Sequence, residues 1–452
     1  MRPTRFNRLV PVVVAAAAGA AILASCTNTV EETTTTVEFT TTTTFAPIEI
    51  ITISTTVAPG VDPAVHEQLT ALFEDLMATT QSLRGLSYIQ LPAVMIVAGD
   101  EFAARLAATT ADLLTDERLS REESLYRLLG QYDAPPSIAG SIRELYTADE
   151  AVAFYDGEAS QVIVDGTRAE LTPLEASIVV RALAWSLLDQ YHDVFDRLAA
   201  LEAAGGEDAV DAFRTLVEGD AIAVQLRYLQ GLSEDDQVAA ALAAAESEPE
   251  ALLRLPDVVR AQLALPGEAG VAFVDEIVAE GGYAALDLAY DPAPLSTEQV
   301  LHPERFAVGE PVRSVPELAV KIDDYTTVDD GSYGEWRLRL LLEDAIAPGL
   351  LTQTVAGWGG DAHQLLVNGD DMIFVYIYGG DTEDDAIEVA QGFLALARGP
   401  LRAGDGIDSG GGVLWDGADR FVYVDRIGDG LMFIVATDSA AGAAARGQIR
   451  VP

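Results

Sequence analysis

The chain has 452 residues, 49% of them hydrophobic, which argues against a largely disordered protein and provides for one large or two modest domains. It carries 72 acidic and 27 basic residues, and the net charge of −45 argues against a nucleic-acid binder or a protein drawn by charge to anionic lipid. The single cysteine excludes an intrachain disulfide and a cysteine-rich metal site. A histidine-built metal centre has little to draw on, because only four histidines are present: His66, His192, His302 and His363.

The N-terminus has the features of an export signal. Three arginines precede an apolar run at 9–23, which is shorter than the roughly 20 residues of a membrane-spanning helix but suits a signal-peptide core. The run ends in Leu23-Ala24-Ser25-Cys26, which resembles a bacterial lipobox. The resemblance implies that residues 1–25 are removed and that Cys26 is lipidated, which anchors the protein on the extracytoplasmic face of the cell membrane. Removal of the three arginines would change the net charge from −45 to −48. The alternative is a secreted protein with an incidental cysteine.

A threonine-rich segment follows the cysteine. Fourteen threonines occur within residues 27–58, with no glycine, no basic residue and no apolar periodicity. This composition predicts an extended polar linker over residues 26–60 that holds a globular body away from the membrane.

The next part of the chain, residues 61–290, is predicted to be mainly helical. Apolar residues recur every three or four positions from Val65 onward, and a short apolar run at 93–98 predicts a strand. A strand pair is expected at 151–155 and 161–164. Thr172 as N-cap, Pro173 at the first position and Glu175 in the first turn predict a helix that extends to about residue 191. Alanine- and leucine-rich helices continue to about residue 280, punctuated by glycines and by Pro256 and Pro266-Gly267.

Residues 291–452 have a different texture. Strand-like runs occur at 364–367, 372–378, 421–424 and 431–436, and a helix is expected at 386–397. The glycine run at 410–412 lacks the lysine and helix start of a phosphate loop, and it predicts a turn. These residues could form a second domain or a second lobe of the same one. The whole chain is therefore expected to have a helix-dominated α+β fold with small strand elements and a mixed α/β C-terminal part.

Several short segments together resemble a group of secreted gluzincin-type zinc peptidases. They are FYD at 154–156, VIV at 162–164, LTP at 171–173, DQ at 189–190, EGDA at 218–221, STEQVLHP at 296–303 and GWGGD at 357–361. The resemblance implies a gluzincin-like core in which one helix carries a His-Glu-x-x-His motif and a later helix provides a glutamate as third zinc ligand.

The metal motif itself is absent from this chain. Arg181 stands at the position of the first histidine, Ala182 at the catalytic glutamate and Trp185 at the second histidine, so that only Glu218 remains at the third ligand position. A catalytic zinc needs three protein ligands and a water, and the missing glutamate would have activated that water. Neither a catalytic residue, a bound metal nor a cofactor is therefore expected. If the resemblance is false, Arg181 is a solvated helix residue and Trp185 an ordinary core residue.

Three functions remain open. The leading hypothesis is a catalytically inactive peptidase homologue that acts as a binding or scaffolding module for an envelope protein or peptide. The second is a metal-dependent hydrolase with a relocated site that draws on Glu218, Asp220, His192 or His302. The third is a polyanionic envelope component in which only charge matters.

The vacated site leads to a structural expectation. Without a cation, a buried Glu218 needs a partner, and a guanidinium can pair with a carboxylate. We therefore expect Arg181 to pair with Glu218 and Trp185 to fill the space of the second imidazole. The alternative is that Arg181 reaches solvent.

Overall fold

A computed structural model describes residues 55–57 (backbone only), 61–111, 114–133, 137–147, 151–168, 170–247, 249–417 and 420–449. The predicted signal peptide and Cys26 lie outside these residues. None of the helices in the described part combines the length and apolar composition required to cross a membrane.

The first part of the fold is a small sheet surrounded by helices. Its elements in chain order are β1 (Thr55–Val57), α1 (Pro63–Arg84), β2 (Ala93–Val97), α2 (Gly99–Thr110), α3 (Asp116–Leu128), α4 (Ile138–Leu145), β3 (Ala153–Asp156), β4 (Gln161–Asp165), α5 (Pro173–His192), α6 (Val194–Ala204), α7 (Glu207–Gln230), α8 (Glu234–Glu246), α9 (Glu250–Leu253), α10 (Asp257–Leu265) and α11 (Val271–Leu288). The strand order is β1-β2-β4-β3, in which β3 and β4 form the strand pair that the sequence predicts and run antiparallel. Strand β1 pairs with β2 in parallel, so residues 55–57 of the predicted linker form a strand, which the sequence did not predict.

Helix α5 is the centre of this part. Thr172 accepts a hydrogen bond from the backbone of Glu175, whose side chain accepts one from the backbone of Thr172 in return, and Pro173 occupies the first turn. The predicted helix start is therefore confirmed. Because α5 is apolar all round, it is buried along nearly its whole length, and it packs against α1, α7 and β3.

Helix α7 packs against α5 and passes very close to the segment that joins α10 to α11. A π-helical turn at Pro266–Gly270 joins α10 directly to α11, so Pro266-Gly267 does not interrupt the helical path as the sequence suggests. A Cβ on Gly219 would lie 2.4 Å from the carbonyl carbon of Gly270, closer than any side chain permits. The glycine of the EGDA segment therefore allows two backbones to touch.

The last part of the described chain is a seven-stranded antiparallel sheet with helices on both faces. Its elements and those that lead to it are α12 (Thr297–Leu301), α13 (Pro303–Val308), β5 (Thr326–Gly331), α14 (Gly334–Leu342), α15 (Pro348–Val355), β6 (Trp358–Asn368), β7 (Asp371–Gly380), α16 (Glu383–Arg398), β8 (Ile407–Ser409), β9 (Gly412–Asp416), β10 (Phe421–Ile427), β11 (Gly430–Ala436) and α17 (Ser439–Arg446). The strand order is β5-β6-β7-β11-β10-β9-β8. Helix α16 packs on one face and α17 on the other.

The predicted helix-dominated α+β class is confirmed. The strand-like runs of the C-terminal part lie in β6, β7, β10 and β11, the predicted helix lies in α16, and the glycine run makes the turn between β8 and β9. Strands β5, β8 and β9 have no apolar alternation that would predict them. Strand β5 follows from its pairing with β6 and not from its own sequence, TTVDDG.

Candidate functional site

The predicted pairing of Arg181 with Glu218 is confirmed. Nη1 of Arg181 on α5 lies 3.7 Å from Oε1 of Glu218 on α7, within reach of an ion pair although too far for a hydrogen bond. The arginine is 3% exposed and the glutamate 3% exposed, so the alternatives that place Arg181 in solvent are wrong. A guanidinium therefore stands where the resemblance places the first zinc-ligating histidine.

Trp185 closes the other side of Glu218. Its indole Nε1 donates a hydrogen bond to Oε2 of Glu218, and the ring is buried. Positions 181 and 185 lie one turn apart on the same face of α5, which is why both side chains reach one carboxylate. The sequence predicted Trp185 only as a space-filling residue; the hydrogen bond gives it a second role.

Burial raises the pKa of Glu218 above that of an ordinary glutamate, against the lowering effect of the Arg181 charge and of the Trp185 hydrogen bond. Ala182, at the position of the general base, is buried and has no group that could accept a proton. The arrangement thus holds a carboxylate in place, but it offers neither an open coordination position nor a base.

The other residues of the predicted relocated site, Asp220, His192 and His302, divide between two places. Asp220 accepts hydrogen bonds from Nε of the buried Arg84 at 2.8 Å and from the hydroxyl of Tyr290 at 2.9 Å. The His192 ring stacks on Tyr290, with 3.7 Å between ring centroids, and burial together with the Arg84 charge lowers the pKa of His192 to about 4. His192 and Asp220 thus share Tyr290 as a neighbour. The sequence pattern did not predict the role of Arg84, which is the last residue of α1.

His302 lies elsewhere, among the carboxylates that join α12 to the C-terminal part. Its Nε2 lies 3.0 Å from Oε1 of the buried Glu335. Nearby, one guanidinium, that of Arg305, contacts three carboxylates: Glu298 at 2.7 Å, Asp381 at 2.9 Å and Glu310 at 3.3 Å. Burial and the charges of Glu335, Asp381 and Glu310 raise the pKa of Glu298 to about 9, against the effect of Arg305.

Asp361, the last residue of the GWGGD segment, has a structural role. Its carboxylate accepts hydrogen bonds from five donors: Ser332 Oγ, the backbone N–H groups of Tyr333 and Gly334, Trp358 Nε1 and the Tyr376 hydroxyl. These bonds fix the start of α14 against β6. Two other segments of the resemblance also meet, because the Tyr155 hydroxyl donates to Asp189 at 2.7 Å.

A second buried cluster, which the sequence did not predict, lies where α7 begins. It consists of Glu207, Asp329 on β5 and His363 on β6, all buried, whose potential ligand atoms lie within 4.8 Å of one another. Nε2 of His363 is 3.3 Å from Oδ2 of Asp329 and 3.9 Å from Oε2 of Glu207. Arg337 on α14 contacts Glu207 and the partly buried Asp211, each at 2.8 Å.

The electrostatics of this cluster reflect two carboxylates in close contact. Burial and the Asp329 charge raise the pKa of Glu207 to about 8. Burial also acts to raise the pKa of Asp329, but the hydrogen bond and charge of His363 prevail and hold it below the ordinary value. The side chains of the cluster, one imidazole and two carboxylates, are a donor set that metal sites use.

Sequence reasoning missed this cluster because its members come from distant segments. His363 belongs to no motif, and Glu207 and Asp329 were two acids among 72. One available signal was the spacing of charged residues on α7: Glu207, Asp211, Arg214 and Glu218 recur at intervals of four, three and four, which places them on one helix face.

Comparison with known proteins places only the C-terminal sheet in a family. Residues 323–446 match a family described as "Domain of unknown function (DUF8575)", a span that runs from just before β5 to the end of α17. The match covers less than half of the chain. No curated protein and no solved structure matches this chain.

Replacement of Arg181 tests the pairing at Glu218. We expect Arg181→Ala to lower the free energy of unfolding by about 3–5 kcal/mol, because it leaves a buried carboxylate without its counter-charge. Adding Glu218→Gln should restore part of that loss. Arg105→Ala, which breaks a partly exposed pair with Glu101 on α2, is the control and should cost less than about 1 kcal/mol. Urea unfolding measures all four proteins, and a double variant no more stable than Arg181→Ala would contradict the pairing.

Glu298 predicts a pH dependence. Because its pKa is raised to about 9 in the folded state, the folded protein keeps a proton that the unfolded chain releases near the ordinary value of 4.5. The stabilisation that the protonated Glu298 contributes is complete below pH 4.5 and is lost as the pH rises through about 9. Between these values the free energy of unfolding falls with a limiting slope of about 1.4 kcal/mol per pH unit. Wild type should therefore lose stability relative to Glu298→Gln between pH 5 and about 9. Glu304→Gln, at an exposed neighbouring position, should follow wild type. Parallel plots of the free energy of unfolding against pH for wild type and Glu298→Gln would refute the raised pKa of Glu298.

Proposed function

We propose that the protein is a membrane-anchored, extracytoplasmic lipoprotein whose helical part is a catalytically inactive homologue of gluzincin-type zinc peptidases. It would act as a binding or scaffolding module in the cell envelope. The observation that carries the proposal is the surrounding of Glu218, which pairs with Arg181 and accepts a hydrogen bond from Trp185 at the positions where the resemblance places two zinc-ligating histidines.

The spatial arrangement favours a vacated metal site over a chance grouping. In the peptidases that the sequence resembles, residues one turn apart on one helix and a glutamate on a later helix converge on one ion. Here Arg181 and Trp185 converge on Glu218 in the same relation, and all three side chains are buried. A buried, positively charged group beside Glu218 performs the neutralising part of the ion's role, but it cannot polarise a carbonyl or activate water as zinc does.

A scaffold without chemistry needs a surface for its partner, and the acidic surface limits what that partner can be. A net charge of −45 disfavours nucleic acid and other polyanions. An envelope protein or a peptide with a basic or neutral face fits better. The lipid anchor at Cys26 and the threonine-rich linker would hold the folded body at a distance from the membrane.

The relocated hydrolase remains the alternative, and it makes a different prediction. It requires a metal whose binding depends on Glu218, Asp220, His192 or His302. Asp220 is engaged by Arg84 and Tyr290, and His302 by Glu335, so each of these side chains already has a protein partner. Loss of metal on replacement of any of the four would support this alternative.

Rebuilding the motif tests the proposal most sharply. We expect the triple variant Arg181→His, Ala182→Glu and Trp185→His to bind one Zn²⁺ more than wild type, because two imidazoles and Glu218 would then form a three-ligand site. Metal analysis after dialysis, together with a peptide-cleavage assay, measures the gain. Adding Glu218→Gln to the triple variant is the matched control and should abolish the extra zinc. A folded triple variant that gains none would contradict descent from such a site.

The anchor is tested separately. We expect Cys26→Ser to move the protein from the membrane fraction to the soluble fraction, since the acylated cysteine is the proposed attachment. Ser25→Ala, next to it, should leave the protein in the membrane fraction. Unchanged membrane retention of Cys26→Ser would refute lipidation at this residue.

A further inference from the structure

We propose that Glu207, Asp329 and His363 bind one divalent transition-metal ion, with Zn²⁺ as the reference case, and that this ion fastens the start of α7 to strands β5 and β6. The site is separate from Glu218 and does not depend on the function proposed above.

The distances within the cluster fit a shared ion. Bonds of 2.0–2.1 Å in a tetrahedral geometry place neighbouring ligand atoms roughly 3.3 Å apart. Nε2 of His363 is 3.3 Å from Oδ2 of Asp329 and 3.9 Å from Oε2 of Glu207, so small side-chain adjustments would bring the three atoms around one centre.

Each of the three side chains also keeps a polar atom that no group in the described part of the chain satisfies. These atoms are Oε1 of Glu207, Oδ1 of Asp329 and Nδ1 of His363, and all are shielded from solvent. Buried polar atoms are nearly always satisfied in folded proteins, so three such atoms in one cluster indicate a missing partner. An ion would account for the two oxygen atoms if each carboxylate bound it through both of its oxygens.

The charge around the cluster points in the same direction. Glu207, Asp329 and Asp211 carry three negative charges when ionised, and Arg337 supplies one positive charge in contact with Glu207 and Asp211. Metal binding would use the cluster with both carboxylates ionised and His363 neutral. In that state two negative charges face each other in a buried place, and the guanidinium that contacts Glu207 is shared with Asp211, so a divalent ion would supply positive charge that the cluster lacks.

The donor set selects the kind of ion. Calcium and magnesium prefer sites made of oxygen ligands, whereas an imidazole favours zinc and its transition-metal neighbours. A cavity of about 60 Å³ borders the cluster and is lined by Asp329, Tyr333 and Arg337 together with residues of α3, α4 and α10. It has room for several waters, which could complete the coordination and provide a route for the ion.

The ion would act as a cross-link. Glu207 begins α7 in the helical part, whereas Asp329 and His363 lie on the two neighbouring strands β5 and β6 of the C-terminal sheet. A bound ion would therefore stabilise the contact between the two parts, and its removal would weaken that contact without unfolding either core.

The test uses the full chain, stripped with EDTA and titrated with Co²⁺ and then Zn²⁺. We expect one Co²⁺ per chain with the visible absorption of a nitrogen- and oxygen-ligated ion, its displacement by one Zn²⁺, and a higher Tm with Zn²⁺ bound. Excess Ca²⁺ or Mg²⁺ and higher salt should not compete. An absence of binding, or weak salt-sensitive binding of several ions to surface carboxylates, would overturn the proposal.

Variants locate the ion. His363→Gln and Asp329→Asn should weaken Zn²⁺ binding by more than about 100-fold, since even the outer partners of metal ligands contribute 10–100-fold. His66→Gln is the control on α1, and Glu218→Gln should also leave the affinity unchanged, which separates this site from the one described above. Full binding by folded His363→Gln would overturn the assignment.

A different measurement decides the case if His363→Gln does not fold. X-ray absorption of the wild-type Co²⁺ complex should show a single imidazole, and His66→Gln, His192→Gln and His302→Gln should each retain the spectrum. Loss of the spectrum in any of these three variants would place the ion elsewhere and overturn the proposal.

Discussion

A carboxylate removed from water must be matched by a hydrogen-bond donor or a positive charge, and α7 carries four buried carboxylates. They are Glu207, Asp208, Glu218 and Asp220. Each recruits its partner from a different segment of the chain. The partners are Arg337 of α14, Thr297 of α12, Arg181 with Trp185 of α5, and Arg84 of α1. Helix α7 therefore fixes the position of the elements around it through polar contacts as well as through its apolar core, and its acids account for both candidate sites.

The sequence predicts those features that depend on local chemistry. The N-cap at Thr172, the apolar periodicity of α1 and the continuous apolar run of β7 each follow from neighbouring residues, and so does the position of Arg181 and Trp185 one turn apart on α5. The contact of Arg181 with Glu218 could be predicted because a resemblance supplied the missing relation between two helices. No such relation was available for Glu207, Asp329 and His363. Their convergence depends on how β5 pairs with β6 and how the C-terminal sheet meets α7, which local patterns do not encode.

The two sites illustrate opposite ways to satisfy buried acids. At Glu218 a guanidinium and an indole provide charge and a donor, and the result is a rigid contact without an open coordination position. Oε1 of Glu218 lacks a hydrogen-bond donor, as do Oε1 of Glu207 and Oδ1 of Asp329, so the difference between the sites is one of charge. Glu218 faces the guanidinium of Arg181, whereas Glu207 and Asp329 face each other and the guanidinium that contacts Glu207 is shared with Asp211. We infer that the first site lost its metal and its chemistry, whereas the second keeps the composition of a structural metal site. The scaffold proposed above would gain stability from such a cross-link without a need for chemistry at either site.

X-ray diffraction from zinc-soaked crystals, recorded on both sides of the zinc absorption edge, tests this division most directly. The account predicts one buried anomalous peak among Glu207, Asp329 and His363 and no peak between Arg181 and Glu218. A peak at Glu218, with Arg181 displaced from its carboxylate, would contradict the central claim that protein groups have replaced the metal there.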